Sequence, residues 1–187
     1  ATEKVLYRQV LEIYATSIDY DPRASVSQEF FKKVQNKIHY AIHGHTAAEL
    51  IVERADAEKD FMGLLTFKGN QPTLSEARTA KNYLDEKELR AMGQLVSGYL
   101  DFAERQAERE QPMTMNDWAN YLDRILTMSG EQLLLDSGKV SHTEAMEHAT
   151  NEYRKYKQRT ISDVEQDYLD SIKRIGNIGK KGDKNEN

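Results

Sequence analysis

The chain has 187 residues, no cysteine, three prolines and 30% charged residues. This length can bury the core of one domain, and the lack of cysteine excludes disulfides, thiolate zinc sites and cysteine nucleophiles. The formal net charge of -5 excludes a general attraction to nucleic-acid phosphates or anionic membranes. Neither a membrane-length apolar run nor a signal-peptide pattern occurs, so we expect a cytoplasmic protein.

The first part of the chain predicts three helices. Apolar residues recur at spacings of three and four from the first residues to about Ile18, and Pro22 ends that helix. Because the chain begins inside this pattern, we expect a further segment before it in the full protein. A second helix should run from near Arg23 to a cap at Gly44. Thr46 and Glu49 have capping-box spacing, which predicts a third helix to about Ala57.

The middle of the chain predicts an irregular loop followed by helices. Periodicity is lost over residues 60–72, where glycines favour a loop or a short hairpin. Helical spacing returns over residues 75–84, and residues 85–109 form a long amphipathic pattern that Pro112 ends. Thr114 then opens a helix that should stop near Gly130.

The last helical region begins at a capping box, Ser141 to Glu144, and can run to Ile175. Unbroken, it would reach roughly 50 Å and would have to project or pair. A break at residues 160–162 is the alternative, and residues 176–187 should be disordered. We therefore expect one all-α domain of about seven helices over residues 1–175, with a long C-terminal helix and a disordered tail.

The densest cluster of functional side chains lies around residue 40. His39 and His43 are four apart on a helix, so both rings could meet one metal, with His45 or Glu49 as a further ligand. Tyr40 stands where a zincin carries its catalytic Glu, and helical histidine pairs are common without a metal. The helix N-terminus at Thr46 could also hold a phosphate or carboxylate.

Several other polar residues have both a functional and a structural interpretation. Asp19 and Asp21 could bind a cation or perform acid–base chemistry, although aspartate before proline is also an ordinary turn starter. Arg54 and Asp56 could form an ion pair. Lys81 and Asn82 are further candidate ligand-binding residues, whereas Trp118 is best explained as a core anchor.

A basic stretch over residues 153–159 alternates with tyrosines and could contact nucleic acid. The acidic residues that follow favour a solvated helix face instead, or a surface for a partner helix. The apolar stripe of that surface would comprise Ala149, Tyr153, Tyr156, Thr160 and Val164.

Several motifs resemble the C-terminal region of the virulence-associated RhuM family over most of the chain, from about Leu11 to Tyr156. They include Asp19-Tyr-Asp-Pro22, Val34-Gln-Asn-Lys37, His39-Tyr-Ala41, Gly44-His-Thr-Ala-Ala-Glu49, Arg54-Ala-Asp56, Met62-Gly-Leu64, Ala80-Lys-Asn-Tyr-Leu84 and Pro112-Met-Thr-Met115 with Asp117-Trp118. The resemblance implies a bacterial protein of genomic or pathogenicity islands whose full-length form carries an N-terminal, helix-turn-helix type DNA-binding module. It assigns no biochemical activity.

The resemblance and the residue patterns support two hypotheses. The first is an effector or oligomerisation domain of a DNA-associated regulator, which self-associates through helices and contacts DNA only through the N-terminal module. The alternative is an enzyme or small-ligand sensor with a pocket built on the His39 and Gly44–Glu49 segments. Its candidate catalytic residues are Asp19, Asp21, His39, His45, Glu49 and Arg54, and its candidate ligand-binding residues are Thr46, Asp56, Lys81 and Asn82. No motif requires a cofactor or a membrane.

Overall fold

The computed structural model describes residues 3–182, which form seven α-helices and contain no strand. The helices are α1 (Glu3–Tyr14), α2 (Ala24–His43), α3 (Ala47–Arg54), α4 (Leu74–Ala77), α5 (Glu86–Glu108), α6 (Met115–Met128) and α7 (His142–Gly182). Two 3₁₀ turns cover Asp60–Gly63 and Ala80–Tyr83. The predicted all-α domain of about seven helices is confirmed.

Helix α2 packs against α5, while α1 packs against α5 and α6 against α2. Tyr99 on α5 is fully buried and donates its hydroxyl hydrogen to the Trp118 carbonyl at 2.9 Å. The Tyr14 hydroxyl lies 3.2 Å from the Tyr99 hydroxyl. Because Tyr99 has only one hydroxyl hydrogen, Tyr14 is the donor in that second bond. The two tyrosines therefore tie α1, α5 and α6 together.

The first half of α7 packs against α3 and the chain that follows α3. Ala145 and Ala149 are completely buried, and such small side chains allow helices to approach closely. The His148 ring bonds to the Ala55 carbonyl at 2.8 Å, and the Glu152 carboxylate accepts the Ala57 amide at 2.8 Å. These bonds replace the helical partners that residues beyond Arg54 lack, which explains why α3 ends before the predicted Ala57.

The second half of α7 extends away from these contacts without a break. The helix is continuous through residues 160–162, so it does not divide into two helices there. It also continues from Gly176 to Gly182, where the sequence indicated disorder. The remainder of that expected tail, residues 183–187, lies outside the described residues.

The segment between α3 and α5 differs from the predicted helix over residues 75–84. Helix α4 stops at Ala77, because side chains take up carbonyls that a longer helix would need. The Asn82 amide donates to the Glu76 carbonyl at 3.0 Å, and the Tyr83 hydroxyl donates to the Ala77 carbonyl at 2.6 Å. The preceding loop contains a 3₁₀ turn and irregular chain, with no hairpin between residues 60 and 72.

Candidate functional site

The three histidines near residue 40 do come together where α2 ends and α3 begins. His39 is completely buried, and its Nδ1 lies 3.0 Å from Nε2 of His43. The His43 and His45 rings stack with centroids 6.0 Å apart, and Nε2 of His45 lies 2.7 Å from the Glu53 carboxylate. The cluster thus extends from a buried ring at His39 to a ring at the surface, His45, that contacts a carboxylate.

Burial keeps the two inner histidines neutral. Desolvation, followed by repulsion from His43, lowers the pKa of His39 to about 3. Desolvation, with a contribution from Arg54, lowers the pKa of His43 to about 4. Each neutral ring carries one N–H, and the bond between the rings uses only one of the two.

The outer nitrogens, His39 Nε2 and His43 Nδ1, are buried and have no hydrogen-bond partner among the described residues. Whichever tautomers occur, one buried N–H is therefore left unpaired.

The geometry does not assemble a metal centre here. Within the part of the chain that the structure describes, no group of three or more His, Asp or Glu is placed to hold a metal ion. The Glu49 carboxylate, considered as an added ligand, instead accepts the Thr46 amide at 3.0 Å. The histidine spacing brings the three rings together, and the carboxylate of Glu53 reaches only the outermost of them, His45.

The helix N-terminus at Thr46 is occupied by its own side chains. The predicted capping box is confirmed, since the Thr46 hydroxyl accepts the Glu49 amide at 3.2 Å and Glu49 returns the bond. The Ala47 amide donates to the Asn36 side chain at 3.2 Å. Three of the amides that could hold an anion are thereby used, which argues against a phosphate site at this turn.

Arg54 forms an ion pair between helices, with a partner that sequence reasoning missed. Its guanidinium donates to both carboxylate oxygens of Glu88, at 2.7 and 2.8 Å, and to the Tyr83 carbonyl at 3.0 Å. These bonds lower the pKa of Glu88 to about 2. The expected partner, Asp56, caps the Glu58 amide at 3.0 Å instead. The Asp85–Glu88 capping-box spacing was the one local signal that pointed to Glu88.

The two aspartates before Pro22 go to different partners. Asp19 accepts the Met115 amide at 2.8 Å and so helps to cap α6. Asp21 accepts from both the backbone and the side chain of Arg23, and these hydrogen bonds lower the pKa of Asp21. The arrangement supports the interpretation of both as turn and capping residues rather than as a carboxylate pair.

The candidate ligand residues of the 80–84 segment also have structural partners. Asn82 is buried, bonds to Glu76, and accepts the Leu65 amide at 2.8 Å through its backbone carbonyl. Lys81 is half-buried beside it. Asn82 therefore fixes the backbone conformation of residues 65–84 through these hydrogen bonds.

The basic stretch on α7 is partly used inside the domain. Arg159 donates to the carbonyls of Ala57 and Lys59 at 3.1 and 3.3 Å and stacks on the Tyr156 ring. Lys155 pairs with Glu152 at 3.2 Å. Arg159 is thereby used inside the domain, whereas Arg154, Lys155 and Lys157 are exposed.

An open groove of about 1020 Å³ lies between α2, the start of α3 and residues 134–144. Its lining carries both charge signs: Lys32, Lys33, Lys37, Lys139, Glu29, Asp136 and Glu144. Lys37 is already paired with Asp123 at 2.8 Å. Of the candidate site residues, Thr46 lines this groove. The lining does not include the other candidates His39, His43, His45, Glu49, Arg54, Asp19, Asp21, Asp56, Lys81 and Asn82.

The fold and these contacts define a helical scaffold domain whose polar motif residues cap helices and tie them together. The chain matches the model of the Virulence protein RhuM family over residues 1–164, and it belongs to that family. The resemblance noted in the motifs is thus confirmed. No curated protein and no solved structure matches the chain.

Proposed function

We propose that this chain is the helical assembly domain of a DNA-associated bacterial regulator, encoded on a mobile or pathogenicity island and acting in the cytoplasm. Two copies would associate through the distal part of α7. Four candidate catalytic residues, Asp19, Asp21, Glu49 and Arg54, are used in caps and ion pairs, which supports this function over an enzyme.

One observation carries the proposal: an exposed apolar stripe on α7. Seven large apolar residues of the segment 161–178 are each between 47% and 73% exposed. On a helical projection five of them follow one band, Ile172 lies at its edge and Leu169 lies off it. The five are Ile161, Val164, Tyr168, Ile175 and Ile178. A contiguous apolar band on a projecting helix marks an interaction surface.

Self-association would fix the position of the two N-terminal modules of the regulator relative to each other. A two-fold dimer of this domain would hold two N-terminal modules at a set spacing, as half-sites of a symmetric DNA target require. The domain itself would not supply the DNA affinity, because its formal net charge is -5. The DNA contact therefore belongs, in this proposal, to the module that the family resemblance implies.

The experiment compares two matched variants by light scattering across a concentration series. Ile175→Ser alters a residue of the stripe, whereas Leu169→Ser alters an exposed apolar residue of the same segment that lies off the stripe. We expect I175S to shift the chain toward monomer while L169S associates like the unmodified chain. Equal behaviour of the two variants, or a monomeric unmodified chain, would contradict the proposal.

A small-ligand sensor is the second candidate function, and the groove beside Thr46 is the observation that favours it. Its lysines suggest a multiply charged anion, for which pyrophosphate is a suitable probe. Pyrophosphate should raise the melting temperature of the unmodified chain and not that of the K33A/K139A double variant. No shift in the unmodified chain would rule out this kind of ligand.

A further inference from the structure

We infer that the two copies pair their α7 helices antiparallel over residues 161–178, with Asp167 of one chain beside Arg174 of the partner subunit. This inference rests on the proposed assembly function and specifies its partner, a second copy of this chain. It draws on charge, on side-chain size and on the spacing of the exposed stripe.

The stripe has the spacing of a coiled-coil seam. Ile161, Tyr168 and Ile175 follow each other at intervals of seven, and Val164, Ser171 and Ile178 do the same three residues later. This is the a and d pattern of a heptad repeat, in which apolar residues meet a partner helix. Residues 161–178 therefore suit another helix better than a flat surface.

The charges along the segment change sign halfway. The acidic residues Glu165, Asp167 and Asp170 fall in its first part, and the basic residues Lys173 and Arg174 fall in its second part. A parallel pair would place the acidic part of one helix along the acidic part of the other, and the basic part along the basic part. An antiparallel pair places the acidic part of each helix along the basic part of the other, so the charge pattern selects a second copy in reverse direction.

One ion pair follows from this arrangement in particular. Asp167 and Arg174 are seven residues apart and therefore flank the same edge of the stripe. In an antiparallel pair, the edge that carries Asp167 and Arg174 lies along the same edge of the other copy. Asp167 therefore meets Arg174 of the partner subunit, and the two-fold symmetry repeats this contact. In a parallel pair this edge would face residues 165 and 172, and no such ion pair could form.

Side-chain size favours the same direction. The antiparallel register sets Tyr168 opposite Ser171 of the partner subunit, so that a large residue fills the space beside a small one. A parallel register would oppose two tyrosines in one layer and two serines in the next. The second arrangement crowds one layer and leaves a gap in the other.

The family match ends at residue 164, so most of this segment lies beyond it. The exposed fractions of Tyr168 and Ile175, 67% and 70%, show that the rest of the domain leaves the band open.

Cysteine cross-linking of the full chain tests the direction, since the chain has no cysteine of its own. Val164→Cys and Ile175→Cys are made singly, on chains with tags of different size. In the antiparallel register Val164 lies opposite Ile175 of the partner subunit, while the two copies of residue 164 are about 16 Å apart along the axis. A disulfide spans less than half that distance. We expect oxidation to cross-link the mixture of V164C and I175C and neither variant alone.

Charge reversal provides the matching measurement of affinity. Asp167→Arg and Arg174→Asp should each weaken dimerisation about fivefold or more, and the double variant D167R/R174D should recover most of the loss. Circular dichroism checks that each variant keeps its helix content.

The outcomes separate this inference from the proposed function. Cross-linking of V164C or I175C with itself would show a parallel pair and overturn the inference while the assembly function stands. A dimer by mass that cross-links in no combination would also overturn the inference alone. A monomer at every concentration would overturn both.

Discussion

The Arg54 guanidinium and the Glu88 carboxylate meet in two hydrogen bonds of 2.7 and 2.8 Å, although the residues are 34 positions apart in sequence. The contact ties the end of α3 to the start of α5. Glu88 also accepts the Asp85 amide at 3.0 Å, so the same carboxylate caps α5. The Arg54-Ala-Asp56 motif thus has a structural use that needs no ligand.

Removing one partner of this pair should destabilise the fold. Arg54→Met leaves a mostly buried carboxylate without its cation, and we expect a loss of about 3 kcal/mol in the free energy of unfolding. Arg90→Met is the matched control, because Arg90 pairs with Glu86 at 3.6 Å on the exposed surface. That change should cost less than about 0.5 kcal/mol. Urea denaturation measures both, and equal losses would refute the structural importance of the Arg54 pair.

The histidine pair should make the fold sensitive to mild acid. The unfolded chain protonates histidine near pH 6.5, whereas His39 and His43 resist protonation in the fold down to pKa values of about 3 and 4. Stability is therefore complete above pH 6.5 and falls as the pH decreases toward 4. His39 alone should cost about 2 kcal/mol by pH 5.

Denaturation at pH 7 and pH 5 checks this effect, and the carboxylates interfere little because their ordinary pKa values lie lower. The double variant H39L/H43L should lose most of the pH dependence, and His142→Gln, at an exposed position, should retain it. The double variant removes the unpaired buried N–H as well, so its stability at pH 7 should not fall severely. An unchanged slope in the double variant would contradict the assignment.

Gly63 should tolerate no side chain. Its φ is +93°, and a Cβ there would lie 2.3 Å from the Arg54 carbonyl oxygen. Gly63→Ala should therefore cost on the order of 3 kcal/mol, the sum of backbone strain and a backbone clash. Gly130→Ala isolates the strain, because Gly130 has a φ of +74° and open space around it, and should cost about 1 kcal/mol. Melting curves that shift equally for both variants would show that the clash is absent.

The local part of this structure could be predicted from the sequence. The capping box at Thr46 forms as expected, and Thr114 and Ser141 cap their helices by accepting the Asp117 and Glu144 amides, because every atom involved lies within four residues. The approach of His39 to His43 follows from one helical turn in the same way.

Contacts between distant segments could not be predicted in this way. The Lys37–Asp123 pair spans 86 positions, and no local pattern connects its members. The predicted helix over residues 75–84 failed for a related reason, since the bonds from Asn82 and Tyr83 to carbonyls six residues earlier replace helical ones. The apolar stripe expected on α7 is buried in one part and exposed in the other. Ala149 and Tyr156 are buried in the domain, whereas Val164 is exposed.

The mass of the unmodified chain in solution tests the central claim most directly. Sedimentation equilibrium over a concentration series up to about 100 µM should show the mass rise from 21.5 kDa to twice that value, because an exposed coiled-coil seam pairs by mass action. A mass that stays at 21.5 kDa throughout would contradict the assembly function.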